Sequence, residues 1–191
     1  MNGDYLKRLF AHYRMRKPPA LPKRKRTDLQ DLWIKDVYMF KIKTFEKDDI
    51  QKVIAFELEL RRQEPDTYYW EPNETYRKQL ENSFEDLRFN TALSFIAVKG
   101  GNVIGRIDAS LIASRSDACC SSAYLDWICV LKSERHKRVA QALLDRLKEE
   151  CKRQGAGLLV ALTAGNNEAQ RFYRSVENAS MHDTGIWIDI K

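Results

Sequence analysis

The chain has 191 residues, 43% of them hydrophobic and 31% charged, a length and balance that close one sizeable core and exclude a disordered or fibrous polymer. No apolar run approaches the roughly 20 residues of a membrane span and the basic N-terminus lacks the apolar core of a signal peptide, so a soluble, cytoplasmic protein is expected. Its four cysteines (Cys119, Cys120, Cys129, Cys151) show no Cys-x-x-Cys spacing and its three histidines are scattered, which argues against a disulfide framework or a metal centre.

Residues 1–36 hold ten Lys/Arg against four Asp and so carry the whole net charge of +6, leaving residues 37–191 at zero. Leu6, Leu9, Phe10 and Tyr13 share one helical face behind Asp4, and KPPALPKRKR then reads as an extended, proline-stiffened linker. Residues 1–36 are therefore expected to be a basic N-terminal extension, and residues 37–191 one globular domain. An amphipathic helix docked on the core or on a second protomer is favoured over an arm for RNA, anionic lipid or a partner. A homodimer is thus open and a nucleic-acid partner is the weaker expectation.

VYMFKIKTF (37–45) alternates like a strand, and Glu46 to Asp49 caps an apolar-periodic helix from Ile50 to Arg62. Pro65 to Pro72 interrupts the pattern before a helix from Asn73 to about Arg88. The interruption, EPDTYYWEPNE, sets Glu64, Asp66, Glu71 and Glu74 among Tyr68, Tyr69 and Trp70. Acidic groups among aromatic faces suit a cationic ligand through ion pairing, stacking and cation–π contact. The competing reading has Trp70 and a tyrosine seal the helix pair while the acids face water. SFIAVKGGNVIGRIDASLI reads as two strands around the Gly100-Gly101 turn.

AYLDWICV (123–130) is an apolar strand, AQALLDRLKEECKRQG an amphipathic helix, and between them lies VLKSERHKRVA. A short basic turn feeding a helix start collects free backbone N–H groups and the positive end of the helix dipole, a natural cradle for the pyrophosphate of a nucleotide-bearing cofactor. Val139 and Leu143 fall on the helix's core stripe, and Cys129 and Cys151 read as small buried hydrophobes. Asp126, inside an apolar run and on the expected face of Tyr124, Ile128 and Val130, needs either a buried hydrogen-bond partner or a task at a substrate cleft. Strand GLLVALTA (157–164), a helix from Asn166 to Val176 and a last strand, GIWIDI (185–190), complete a β-α-α-β-β-β-α-β-α-β order.

Two motifs carry a family resemblance. Arg135, Val139 and Ala140 fit Gln/Arg-x-x-Gly-x-Gly/Ala with four residues between Val130 and Arg135 and with Arg138 in place of the central glycine, and Asn166 through Tyr173 fit Asn-x-x-Ala-x-x-Phe/Leu-Tyr. In this order and separation they resemble the GCN5-related N-acetyltransferase (GNAT) superfamily over residues 37 to 190; Glu177-Asn178-Ala179 departs from the usual Gly-Phe after the tyrosine. The resemblance implies the GNAT acyl-CoA N-acyltransferase fold, a mixed α/β architecture whose central sheet has splayed strands and flanking helices, and it implies acetyl-CoA as cofactor. It places amides around Cys129, Val130 and Lys132 on the pantetheine arm, and the backbone of Arg135, His136, Lys137, Arg138, Val139 and Ala140 on the pyrophosphate. Asn166 would cap its helix and contact pantetheine, and the Tyr173 hydroxyl would protonate the leaving thiolate.

Asp126 is the candidate for accepting the amine's proton, and Glu64, Asp66, Tyr69, Trp70, Glu71 and Tyr124 complete the expected substrate side. The single strand following Tyr173 broadly resembles aminoglycoside 3-N-acetyltransferases. The expected activity is acetyl transfer to a primary amine of a small cationic molecule, a polyamine or an amino sugar such as an aminoglycoside. The alternatives are a protein Lys or N-terminal acetyltransferase and a catalytically weak acyl-CoA-binding or RNA-binding module.

Overall fold

In the computed structural model, residues 40–68, 70–113, 115, 121–163, 165 and 167–181 are described. The basic extension 1–36, the 185–190 strand, the Cys119-Cys120 pair, Tyr69 and Asn166 lie outside the described residues. Five strands follow one another in sheet order: β1 (Lys41–Thr44), β2 (Ala92–Lys99), β3 (Asn102–Ile112), β4 (Ser121–Val130) and β5 (Ala156–Ala161). The first four pair antiparallel, and β4 pairs parallel with β5. Gly100 and Gly101, at φ 56° and 83°, turn β2 into β3, backbone angles that a side chain would resist.

Between Thr44 and β2 the chain builds helices α1 (Ile50–Gln63) and α2 (Glu74–Ser83). Glu46 and Asp49 form a reciprocal capping box on a 3-10 turn, Lys47–Asp49, that leads into α1. Asn73 caps α2 by accepting from the Tyr76 amide at 3.0 Å. This helix stops five residues before the expected Arg88. Ser83 Oγ donates back to the Leu80 carbonyl at 2.7 Å, and Asp86 caps a separate 3-10 turn, Leu87–Phe89, by accepting from the Arg88 amide.

The crossover from β4 to β5 runs through α3 (Val139–Arg153), whose Val139, Leu143, Leu144 and Leu147 are all buried. Full burial of such side chains stabilises by about 1.5–3 kcal/mol each. Gly105 lets α3 lie this close to the sheet: a Cβ there would stand 3.1 Å from Leu143 Cδ1 and 3.1 Å from Val139 Cγ1. Helix α4 (Asn167–Arg174) follows β5 and packs Phe172 and Tyr173 against the core.

The register assigns the two faces of the sheet. Gly105, Ile107 and Ala109 of β3 turn toward α3, and their partners Val130, Ile128 and Leu125 turn with them. Arg106, Asp108 and Ser110 turn the other way with Cys129, Trp127 and Tyr124, toward α1 and α2, where Arg106 meets Tyr76 and Glu57. Asp126 has no Cα partner, because the register slips between Asp108 and Ala109 while β4 advances from Trp127 to Leu125. It is the extra residue of a β-bulge. The expected common face for Tyr124, Asp126, Ile128 and Val130 is thereby corrected: Tyr124 lies on the α1/α2 side and Ile128 and Val130 on the α3 side.

Candidate active site

Parallel pairing of β4 with β5 runs from Ser121 opposite Ala156 to Leu125 opposite Ala161 and then stops. From Asp126 to Val130 the β4 edge on that side has no strand partner among the described residues, while its other edge stays bonded to β3. The two strands therefore part in a wedge that starts at the bulge. An unpaired strand edge presents amide N–H and C=O groups, which an extended amide-bearing ligand can take up as a further strand would.

The turn at the mouth of this wedge makes a 3-10 turn over Lys132–Glu134 and enters α3 at Arg138, which is left-handed (φ 63°, ψ 17°). His136 is left-handed as well, at φ 61°. Arg138 thus keeps the backbone angles that a glycine would take, at a cost of about 1–2 kcal/mol. No side chain caps the helix, and its first intrahelical bond is that of the Ala142 amide to the Arg138 carbonyl. The N–H groups of Val139, Ala140 and Gln141 therefore precede the helical ladder, at the positive end of the dipole. His136, Lys137 and Arg138 are exposed around them, as is Lys132 earlier in the turn. Val139 is buried under the helix, so its contribution is the amide alone.

Arg135 is differently disposed. Its Nε donates to the Val130 carbonyl at 3.2 Å, its Nη1 to Glu64 Oε1 and to Glu168 Oε2, both at 3.0 Å, and its Nη2 to the other Glu64 oxygen. Glu134 is held by Lys99 and Lys137, each at 3.1 Å, and the two cations pull its carboxyl below the ordinary range against the effect of burial.

On the other side of the sheet lies a network of charged groups that the sequence reading passed over. Glu57 and Arg61, one turn apart on α1, are buried and pair at 2.9 Å. Arg106 Nη1 approaches Glu57 at 3.7 Å and donates to the Tyr76 hydroxyl at 2.9 Å, while its Nη2 donates to Asp108 at 3.2 Å. Burial pushes the Glu57 carboxyl up, against the Arg61 hydrogen bond and the charges of both arginines. Two regularities were there to be read: Glu57 and Arg61 stand four apart, and Arg106, Asp108 and Ser110 alternate along one strand face.

The acidic-aromatic segment packs over this network. Arg61 lies 3.7 Å from the Trp70 ring centroid and donates to the Trp70 carbonyl, Trp70 tilts against Tyr76 at 4.9 Å, and Tyr68 meets Trp127 edge-on at 5.7 Å. The Tyr68 hydroxyl and Cys129 Sγ stand 2.8 Å apart, and burial raises both groups, the thiol to about 11. Of the acids, Glu64 is occupied by Arg135 and Glu74 by Arg77, whereas Asp66 and Glu71 are exposed. A shallow groove joins Trp70 and Tyr76 to Glu71, Asn73, Thr75 and Gln79. The aromatic side chains thus do seal the helix pair, and Trp70, 39% exposed, also offers a face to solvent.

Tyr173 is the last residue but one of α4, with its ring edge-on to Phe172 at 5.2 Å. Burial raises its hydroxyl above the ordinary tyrosine range, with Tyr124 as the second cause. Tyr124 is one residue from the last β4/β5 pair, at the start of the wedge. Asp126 is exposed at the same point and accepts a hydrogen bond from Ser110 Oγ at 2.8 Å. The structure thus sets Tyr124 and Asp126 on either side of the point where the wedge begins and the start of α3 beyond its far end. It withdraws the side chains of Arg135 and Glu64 from any ligand by pairing them with each other. Among the described residues there is no group of three or more His, Cys, Asp and Glu placed to hold a metal, and no helix long and apolar enough to cross a membrane.

Residues 55–176 match the sequence model of the Acetyltransferase (GNAT) family. No curated protein sequence matches the chain. Among solved structures, an aminoglycoside acetyltransferase, meta-AAC0020, from an uncultured soil metagenomic sample, in complex with trehalose, superposes with a TM-score of 0.66 at 15% identity, over 80% of this chain and 97% of that one. A ribosomal-protein-alanine N-acetyltransferase from Brucella melitensis biovar Abortus 2308 gives 0.60 at 18% identity, over 80% and 99%. AAC(6')-Iy, bound to the bisubstrate analog CoA-S-monomethyl-acetylneamine, gives 0.60 at 20% identity, over 80% and 98%. With its mixed sheet, flanking helices and a family match over most of its length, the chain belongs to the GNAT family and is an N-acetyltransferase of that class.

Proposed function

We propose that this protein transfers acetyl from acetyl-CoA to a primary amine of a small cationic molecule, a polyamine or an amino sugar of the aminoglycoside kind. The observation that carries the reading is the wedge: β4 and β5 part after Leu125 and Ala161, with the uncapped start of α3 at the end of the free edge. The donor set fits the cofactor, since enzymes of the family use acetyl-CoA, whose pantetheine amides match the Asp126 to Val130 edge and whose phosphates match backbone N–H groups at a helix start. The left-handed Arg138 keeps those amides turned as a glycine would, so the departure from the motif leaves the cradle intact.

Acetyl-CoA supplies an activated thioester. The amine nitrogen bonds to the acetyl carbon, the carbon–sulfur bond breaks, Tyr173 gives its proton to the departing sulfur and Asp126 takes the proton that the nitrogen sheds. The raised Tyr173 hydroxyl stays protonated at neutral pH, as a donor must. Asp66 and Glu71, with the open face of Trp70, draw the cationic acceptor. Aminoglycoside acetyltransferases among the structural neighbours, one holding a CoA–neamine conjugate, add support for an amino sugar. We assign the activity to residues 37–191 and the cytoplasm as its setting, with 1–36 a basic extension.

Calorimetry with acetyl-CoA and thiol release over spermine, kanamycin A, a lysine peptide and an N-terminal alanine peptide test this. A one-site acetyl-CoA isotherm and turnover with spermine or kanamycin A are expected. No binding at millimolar acetyl-CoA, or turnover of the peptides alone, overturns the reading.

A further inference from the structure

We infer that Arg135, the first residue of the phosphate-loop motif, is a positioning residue: an ionic strut that fixes the acceptor segment and the tyrosine-bearing helix to the cofactor loop, and no phosphate ligand. The inference rests on the proposed function for its meaning, because the acceptor segment and Tyr173 matter only where acetyl is transferred. Its physical basis is independent of that reading.

Four of the five guanidinium N–H donors are engaged. Glu64, at the C-terminal cap of α1, takes Nη1 and Nη2 in a bidentate pair, Glu168 in the first turn of α4 takes Nη1 from the other side, and the Val130 carbonyl takes Nε. Bidentate arginine–carboxylate pairs are the geometrically strict ones, and this pair is largely shielded, with side-chain exposures of 18% and 15%. Two carboxylates share one cation, so a phosphate drawing on Arg135 would compete with the half-exposed Glu168 and with the shielded Glu64 pair. The phosphate load falls instead on the backbone N–H groups at the start of α3 and on the exposed Arg138 beside them.

A second tie runs alongside: the Ser133 amide donates to Gln63 Oε1 at 3.1 Å, joining the end of α1 to the same loop. Glu64 opens the acidic-aromatic segment, whose far side is held by Arg61 at the Trp70 carbonyl. Glu168 stands five residues before Tyr173 in α4. One side chain thus sets the distance between the segment that receives the amine and the helix that carries the proton donor.

Hydrogen–deuterium exchange of the full chain reads the strut directly, with acetyl-CoA calorimetry beside it. In Arg135→Gln, amides in 64–73 and 167–174 should exchange about tenfold faster, the scale of one lost charge-assisted hydrogen bond, while β2 and β3 hold their wild-type rates. Arg135→Lys should recover part of the protection, and salt should speed exchange of both segments in the wild type but not in the glutamine variant. The acetyl-CoA dissociation constant should stay within about threefold of wild type. Glu64→Gln should loosen 64–73 alone, and this variant decides the matter if Arg135→Gln does not fold. Unchanged exchange overturns the strut, and so does a loss of acetyl-CoA affinity of about tenfold in Arg135→Gln. Failure of the wild type to bind acetyl-CoA would sink the proposed function and leave the exchange arms to judge Arg135.

Discussion

The Ser110 hydroxyl donates to Asp126 Oδ2 at 2.8 Å across the β3/β4 pair, at the residue where β4 bulges and its pairing with β5 has just ended. The bond aims an otherwise exposed carboxylate, and the bulge removes it from the ladder. Asp126→Asn keeps the shape and the acceptor oxygen but loses the base of the proposed mechanism, so kcat should fall by about a hundredfold with the acetyl-CoA dissociation constant unchanged. Ser110→Ala should cost only severalfold. Steady-state kinetics with the active amine checks both, and equal turnover of Asp126→Asn and wild type would return this aspartate to a structural role.

Tyr173→Phe removes the proton donor of the proposed mechanism. Turnover should drop by about tenfold or more while acetyl-CoA affinity holds, since the ground state gains nothing from that proton. Burial raises the hydroxyl above its ordinary value of 10.0, so the tyrosine stays protonated throughout the neutral range. The pH profile of kcat should accordingly show no descending limb from this group below pH 10. A limb there that vanishes in the phenylalanine variant would contradict the raised value.

Arg138 holds φ 63° at the entry to α3. Arg138→Gly relieves that conformation, a gain of about 1 kcal/mol in unfolding free energy after the added flexibility of the unfolded chain is counted. Urea titration measures it. Acetyl-CoA affinity should hold or fall slightly with the lost charge; a loss of about a hundredfold would show that the guanidinium grips phosphate.

Glu150 is ringed by Arg146, Arg153 and Gln154, and hydrogen bonds from Arg153 and Gln154 lower its carboxyl from 4.5 to about 2. A depressed carboxylate contributes stability that is present above its unfolded value and is lost as pH falls through the folded one. Between about pH 4.5 and 2 the wild type should therefore lose stability that Glu150→Gln never had. The two unfolding curves should differ by a constant amount above pH 5 and converge near pH 2; parallel curves would show the pairing to be ineffective.

The parts of the fold that were legible in the sequence are those set by local pattern. The Gly100-Gly101 hairpin, the apolar stripe of α3 and the strand–turn–helix around Arg135 to Ala140 all follow from periodicity and turn chemistry, and the structure has them within a few residues. The facing of Asp126 was not legible, because one inserted residue reverses every later side chain and a bulge has no compositional mark in AYLDWICV. Nor were the partners of Arg135: Glu64 and Glu168 lie 71 and 33 residues away, and only the folded sheet brings them to one guanidinium. Helix α2 was read too long because its stop lies in side-chain bonds of Ser83 and Asp86, residues that also occur inside helices.

The β4 edge from Asp126 to Cys129, which has no strand partner among the described residues, has a consequence for handling the protein. It is a gap inside a sheet, and a bound pantetheine arm would act there as a surrogate rung. Without it, the same amides are open to a strand of another chain, and donation across molecules is the first step of edge-to-edge aggregation. Preparations depleted of acyl-CoA should cloud and precipitate sooner on warming than replenished ones, and light scattering during a thermal ramp would follow the ligand's role as a plug.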